Sequence, residues 1–172
     1  MKYYAADDVF FDHLHTDHYA TFLYFLSNTV YRREGPTPLA ARVYALNKAL
    51  HGLDAFYEVE LPDIFFLQHP VGTVLGRANY ADYFCVYQRT SVGSSLDGSR
   101  PTFGEGVVMY GGSAVIGRCT IGDNCWLSVN TLVMDSDVPS NSLVFGASPG
   151  LVVKPTSRDV RRDVFGRPHA AG

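Results

Sequence analysis

The sequence predicts a parallel β-helix preceded by an α-helical segment, and three observations predict it. Apolar residues recur at every sixth position, at Phe103, Met109, Val115, Ile121, Leu127 and Val133. Four positions after each, a small or slender side chain usually recurs, at Val107, Ser113, Cys119, Cys125 and Thr131. Ahead of this region, residues 1–57 carry apolar positions at helical spacing instead. An α-helix cannot honour a period of six, because about 3.6 residues per turn would scatter those positions around its cylinder. A short strand, a turn and a short strand can. A fixed hexapeptide repeat marks a solenoid whose rungs bury their apolar sides only by stacking on one another.

The elements follow in chain order. In the helical segment, Asp12 to Tyr31 places Leu14, His18, Phe22, Phe25, Leu26 and Tyr31 near one face. Glu34-Gly35-Pro36-Thr37-Pro38 breaks that pattern. A second amphipathic stretch follows, with Leu39, Val43, Leu46, Asn47 and Leu50 on one face, and His51-Gly52 is its stop. Residues 58–155 form the β-helix domain, with irregular first rungs between Glu58 and Gly93. Within it, residues 94–101 are polar and out of phase, so they read as a loop thrown outward from a corner. Residues 156–172 are a tail of mixed charge, with Arg158, Arg161 and Arg162 against Asp159 and Asp163, read as a short helix capping the open end or as a solvated face. Phe65, Phe66, Tyr80, Tyr83, Tyr87 and Tyr110 are more aromatic than an outer face needs, which predicts an interface on some of them or packing beneath the helices.

Composition narrows the function classes. Of 172 residues, 47% are apolar, enough for a core in one domain with an appendage. A formal net charge of −3 gives no electrostatic case for nucleic acid or an anionic membrane as partner. Cys85, Cys119 and Cys125 have neither paired spacing nor partner histidines, so no disulfide framework and no metal site is expected. Met1 to Asp8 is polar and acidic, and no apolar run reaches the roughly 18–20 residues of a membrane span, so a cytoplasmic protein is expected.

The chemistry concentrates in Leu67-Gln68-His69-Pro70-Val71-Gly72-Thr73-Val74-Leu75-Gly76. A histidine stands at a strand-to-turn junction, followed by a proline and two glycines that let another backbone or a ligand approach closely. Imidazole is the side chain best suited to take a proton from a hydroxyl near neutral pH. A histidine satisfied by hydrogen bonds in a packed corner fits the same pattern.

Taken together, the hexapeptide repeats, the helical N-terminus and this rung resemble the serine acetyltransferase family of left-handed β-helix acyltransferases, over about residues 10–155. The match L-x-H-x-x-G-x-x-x-G at Leu67, His69, Gly72 and Gly76, then Tyr87-Gln88 and Ser91-Val92-Gly93, carries the resemblance, with Pro139 to Pro149 similar to the family's closing motif. Short chains of this kind also resemble the acetyltransferases of bacterial surface-polysaccharide gene sets. The resemblance implies a left-handed β-helix and a homotrimer with active sites in the clefts between neighbouring subunits. It implies acetyl-CoA as co-substrate and His69 as general base. Gly111, Gly112, Ser128 and Val129 fall where the family lays the cofactor, and Lys154 where a cation can meet its phosphates. Asp17 is the nearest match to an acidic residue that helps bind the acceptor amine. Two positions depart from the family. Gln68 stands where the family has Asp beside the histidine, and Ser99-Arg100-Pro101 stands where it has Arg-His-Pro. Gln68 carries no charge for an ammonium group, whereas Arg100 offers a fork suited to phosphate or carboxylate. The expected function is an acetyl-CoA-dependent O-acetyltransferase acting on serine or on a serine-like or sugar hydroxyl. Its alternatives are an N-acetyltransferase of a nucleotide-linked amino sugar and an inactive trimeric scaffold.

Overall fold

Two helices close the top of a three-sided solenoid. The computed structural model describes residues 11–166; residues 1–10 of the helical segment and 167–172 of the tail lie outside the described residues. Helix α1 spans Thr16–Glu34 and ends at Gly35. Helix α2 spans Pro38–His51; Thr37 caps it by accepting from the Ala40 N–H, Pro38 pre-sets its first turn, and Gly52 ends it in the left-handed region.

Both helices bury a different face from the one their apolar spacing predicts. In α1 the buried residues are Asp17, Ala20, Leu23, Tyr24, Ser27 and Asn28, while Phe22, Phe25 and Leu26, and Leu14 just before the helix, are exposed. In α2, Val43 and Asn47 are buried as expected, but Leu39, Leu46 and Leu50 are exposed. The reason is hydrogen bonding. Asn47 Nδ2 donates to Ala20 O at 2.9 Å, joining the helices. Tyr24 OH donates to Val59 O and accepts from the Leu61 N–H, and Asn28 Nδ2 donates to Tyr57 O. The buried face supplies partners for irregular backbone that no apolar side chain could satisfy.

The solenoid is a left-handed parallel β-helix with three sheets. The first sheet stacks Asp54–Ala55, Val74–Leu75, Ser91–Gly93, Ala114–Ile116 and Leu132–Met134. The second stacks Phe65–Leu67, Phe84–Val86, Val107–Met109, Cys125–Leu127 and Ser142–Phe145. The third stacks Asn79–Tyr80, Thr102–Phe103 and Thr120–Ile121. Each regular coil advances by three hexapeptides, so Thr102 pairs with Thr120, Val107 with Cys125 and Ala114 with Leu132. Val86 pairs instead with Met109, because residues 94–101 are inserted in that coil. The six-residue beat is the interior: Phe103, Met109, Val115, Ile121, Leu127 and Val133 are each at most 2% exposed. The slender set fills the space between them and is equally buried.

The C-terminal part differs from expectation. Strand Val152–Pro155 turns back antiparallel on Ser142–Phe145. Helix α3, Val160–Asp163, then packs on the outside of the second sheet and does not cap the open end. Val160, Val164 and Phe165 cover the outward side chains Cys85, Val108 and Trp126. The Arg158 guanidinium lies over the Trp126 ring, and Arg161 lies over Tyr83 and pairs with Glu105. Most of the aromatics that suggested an interface are therefore satisfied inside one protomer. Tyr80 stacks on Phe103 in the core, Phe65 lies under Tyr24 and Phe25, and Tyr87 and Tyr110 pack beside Trp126 and α3.

Candidate active site

One corner of the prism, where the second sheet passes into the first, gathers most of the candidate residues. Its backbone forms a ladder: Gly72 N–H donates to Gly52 O, Arg89 N–H to Val71 O, Gly112 N–H to Gln88 O and Asn130 N–H to Gly111 O. Read downward, the corner carries Gln68-His69-Pro70-Val71, then Gln88-Arg89, then Gly111-Gly112, then Ser128-Val129-Asn130.

His69 adopts a φ of +50°, a left-handed conformation unusual for a side-chain-bearing residue and common at functional corners. Its side chain is 70% exposed. Both ring nitrogens face a partner. Nδ1 lies 3.9 Å from Asp17 Oδ2, and Nε2 lies 2.9 Å from Gln68 Nε2. An amide nitrogen only donates, so His69 Nε2 accepts there, and the ring proton sits on Nδ1 on the side of Asp17. The first turn of α1 supplies Asp17, which is 4% exposed, and its Oδ1 is buried with no hydrogen-bond partner. Gln68 itself is buried. The imidazole thus stands between carboxylate and amide, with its Nε2 lone pair taken up by Gln68.

His51 is a further imidazole that the sequence reading did not place at the site. Being buried at the end of α2, with Nδ1 2.8 Å from Asn47 Oδ1, it has its pKa lowered by burial against the opposing pull of Asn47 and of Asp17.

Other candidates are apart from this cluster. Arg100 lies in the 94–101 segment, which leaves the opposite end of the first sheet, so the width of that sheet separates it from His69 within a protomer. Lys154 lies opposite Leu143 on the antiparallel strand at the last coil, on the far side of the stack from the His69 rung. Among the described residues, no group of three or more His, Cys, Asp or Glu side chains is gathered to hold a metal. A polar cavity of about 500 Å³ opens elsewhere, between Asn28, Arg32, Glu60, Asp63, Asp82 and Glu105. Its lining offers no imidazole or thiol, unlike the His69 corner.

Below His69 the corner is built from small residues. A Cβ on Gly112 would collide with Asn130 Oδ1, and one on Gly111 would come within 3.0 Å of Gln88 Nε2. Both glycines therefore keep the track flat, and Gly112 also needs its φ of +75°. Gln88 Oε1 is buried without a partner beside them.

The same arrangement of helices and coils is found in solved proteins. The crystal structure of serine acetyltransferase from Vibrio cholerae superposes with a TM-score of 0.74 at 18% identity, over 86% of this chain and 57% of that one. A serine acetyltransferase solved in complex with CoA superposes with a TM-score of 0.69 at 16% identity, over 81% of this chain and 57% of that one. In sequence, the serine acetyltransferase of Synechococcus elongatus is 33% identical over 112 residues, which is 63% of this chain and 45% of the relative. The chain is thus similar to serine acetyltransferases in sequence and shares their fold. No family model matches it. It spans about half the length of these serine acetyltransferases.

Proposed function

We propose that the protein is an acetyl-CoA-dependent O-acetyltransferase, with His69 as general base and serine or a serine-like amino alcohol as acceptor. The observation that carries this reading is the line Asp17–His69–Gln68, in which a buried carboxylate with a free oxygen backs an exposed imidazole. An acceptor hydroxyl that displaces the Gln68 amide reaches Nε2, which takes its proton as the oxygen bonds to the acetyl carbon. The departing thiolate then receives that proton. Asp17 stabilises the transient imidazolium through Nδ1–H, and its negative charge favours an acceptor that carries an ammonium group. The thioester supplies the activated acetyl group, and the track at Gly111, Gly112, Ser128 and Val129 would hold its carrier arm, with Lys154 toward the phosphates.

We also infer a homotrimer. The first sheet turns Val74, Ala114, Ile116, Leu132 and Met134 outward, an apolar face interrupted by Ser91 and Gly93 that α3 does not cover. Arg100 meets a His69 only if it comes from a neighbouring copy. No helix of the described residues is long and apolar enough to cross a membrane, and the cysteines are buried and unpaired, which supports a reducing compartment such as the cytoplasm.

The test is thiol release from acetyl-CoA with purified protein across serine, other amino alcohols, sugars and nucleotide-linked amino sugars. Turnover with serine or a near relative supports the reading. Turnover only with sugars moves the acceptor to a neutral hydroxyl, for which the uncharged Gln68 is the better neighbour. Acetyl-CoA binding without any turnover leaves the scaffold reading.

A further inference from the structure

Gln88 and Arg89 lie one rung beneath His69, and the mechanism above does not use them. Arg89 holds a φ of +56° with a full side chain. Its stem rests against Gly72, with Cγ 3.4 Å from where a Cβ of that glycine would stand, and its Nη2 lies 3.7 Å from the corresponding point on Gly112. The guanidinium therefore hangs along the small-residue corner from the rung below His69 to the next. Among the described residues it has no ion-pair partner, and the residue is exposed. Gln88, its neighbour in sequence, places an amide against Gly111 with Oε1 buried and unpartnered. One side chain thus offers N–H donors and the other a carbonyl acceptor, beside two glycines where a Cβ would crowd Gln88 or Asn130.

We propose that Gln88 and Arg89 form a clamp for a secondary amide of the pantetheine arm, Gln88 accepting the amide N–H and Arg89 donating to its carbonyl. The inference rests on the acetyl-CoA reading of the groove. Successive coils rise by roughly the 4.8 Å strand spacing, so the Arg89 tip sits about two spacings below the base, at the level of the arm. The phosphates of the same molecule lie further from the thioester. An unsatisfied buried carbonyl and a left-handed arginine are each costly to keep, and a ligand amide relieves the first while using the second.

Direct binding tests the clamp without any need for turnover. Calorimetric titration of the full chain with CoA and with pantetheine, which lacks every phosphate, separates an amide contact from a phosphate contact. Arg89→Gly, which suits the positive φ, is expected to hold or raise the melting temperature while weakening both ligands about tenfold, the usual cost of one charge-assisted hydrogen bond. Gln88→Ala should weaken both similarly. Loss of CoA affinity with pantetheine unchanged would make Arg89 a phosphate contact and overturn the clamp, as would unchanged affinity for both. Wild-type protein that binds neither ligand would overturn the acetyl-CoA reading itself.

Discussion

Asp17 sets the terms at the residue scale. A buried carboxylate oxygen without a partner destabilises the resting fold, and the proximity of His69 compensates only in part. Replacing Asp17 by Asn removes the charge at constant volume. Thermal melts should show the variant equally or more stable, while kcat/KM falls roughly 10–100-fold, the range of one lost charge-assisted contact. A variant that melts lower with full activity would make Asp17 a structural residue. His69→Ala should keep its fold and lose about 10²–10⁴-fold in kcat, since a single positioned base contributes that much; unchanged turnover would remove His69 from the mechanism. His51 gives a pH signature. Burial lowers its pKa from 6.5, so the folded state resists a proton that the unfolded state accepts. Stability is thus full above pH 6.5 and declines as the pH falls from there through the lower folded pKa. In His51→Gln, the melting temperature should fall less between pH 7 and 5 than in wild type, and a parallel profile would assign the acid loss to other groups.

At the scale of elements, the seam between α1 and the chain after α2 depends on Tyr24. Its hydroxyl donates to Val59 O at 2.9 Å and accepts from the Leu61 N–H at 2.8 Å, and burial pushes its pKa up to about 12. Tyr24→Phe should cost about 1–3 kcal/mol in denaturant unfolding, because it strands the Leu61 N–H and leaves Val59 O only the longer bond from Asn28; a loss below about 0.5 kcal/mol would mean that water replaces the hydroxyl. This seam also explains which parts of the fold the sequence revealed. The solenoid was legible because every sixth side chain points into one apolar interior, so spacing alone reports burial. The helix faces were not, because Asp17, Asn28 and Asn47 are buried for the backbone and side-chain groups they meet, and Phe22 and Leu46 are left outside. Within the candidate site, His69 stood out by its type and turn, and Asp17 only as the nearest match to an acidic residue of the family it resembles. Gln88, Arg89 and His51 did not show, since their positions follow from coils stacking at one corner and from where α2 ends. A corner register carried back one coil from Gly111-Gly112 would have found the first two.

At the scale of the whole molecule, one protomer carries half of the expected chemistry at each end of its first sheet: the base with its carboxylate at one corner, Arg100 at the next. The outer face of that sheet between them is mostly apolar, with Ser91 and Gly93 on one rung, and Val74 and Met134 are 42% and 44% exposed in the single protomer. Because both are already solvated there, Val74→Glu and Met134→Glu should leave the protomer's fold intact and act only on association. Sedimentation velocity is expected to show a trimer for the wild type and a monomer for the double variant, with activity lost in parallel. Shared clefts make a second demand, since a site then needs His69 from one copy and Arg100 from the next. His69→Ala and Arg100→Ala chains, each inactive or impaired alone, should recover activity when unfolded and refolded together, as random assortment rebuilds an intact pair in roughly a quarter of the clefts of a cyclic trimer. Recovery requires both threefold assembly and a site completed across it. A trimer that shows no recovery would confine the chemistry to one corner of one chain and leave Arg100 as a loop residue.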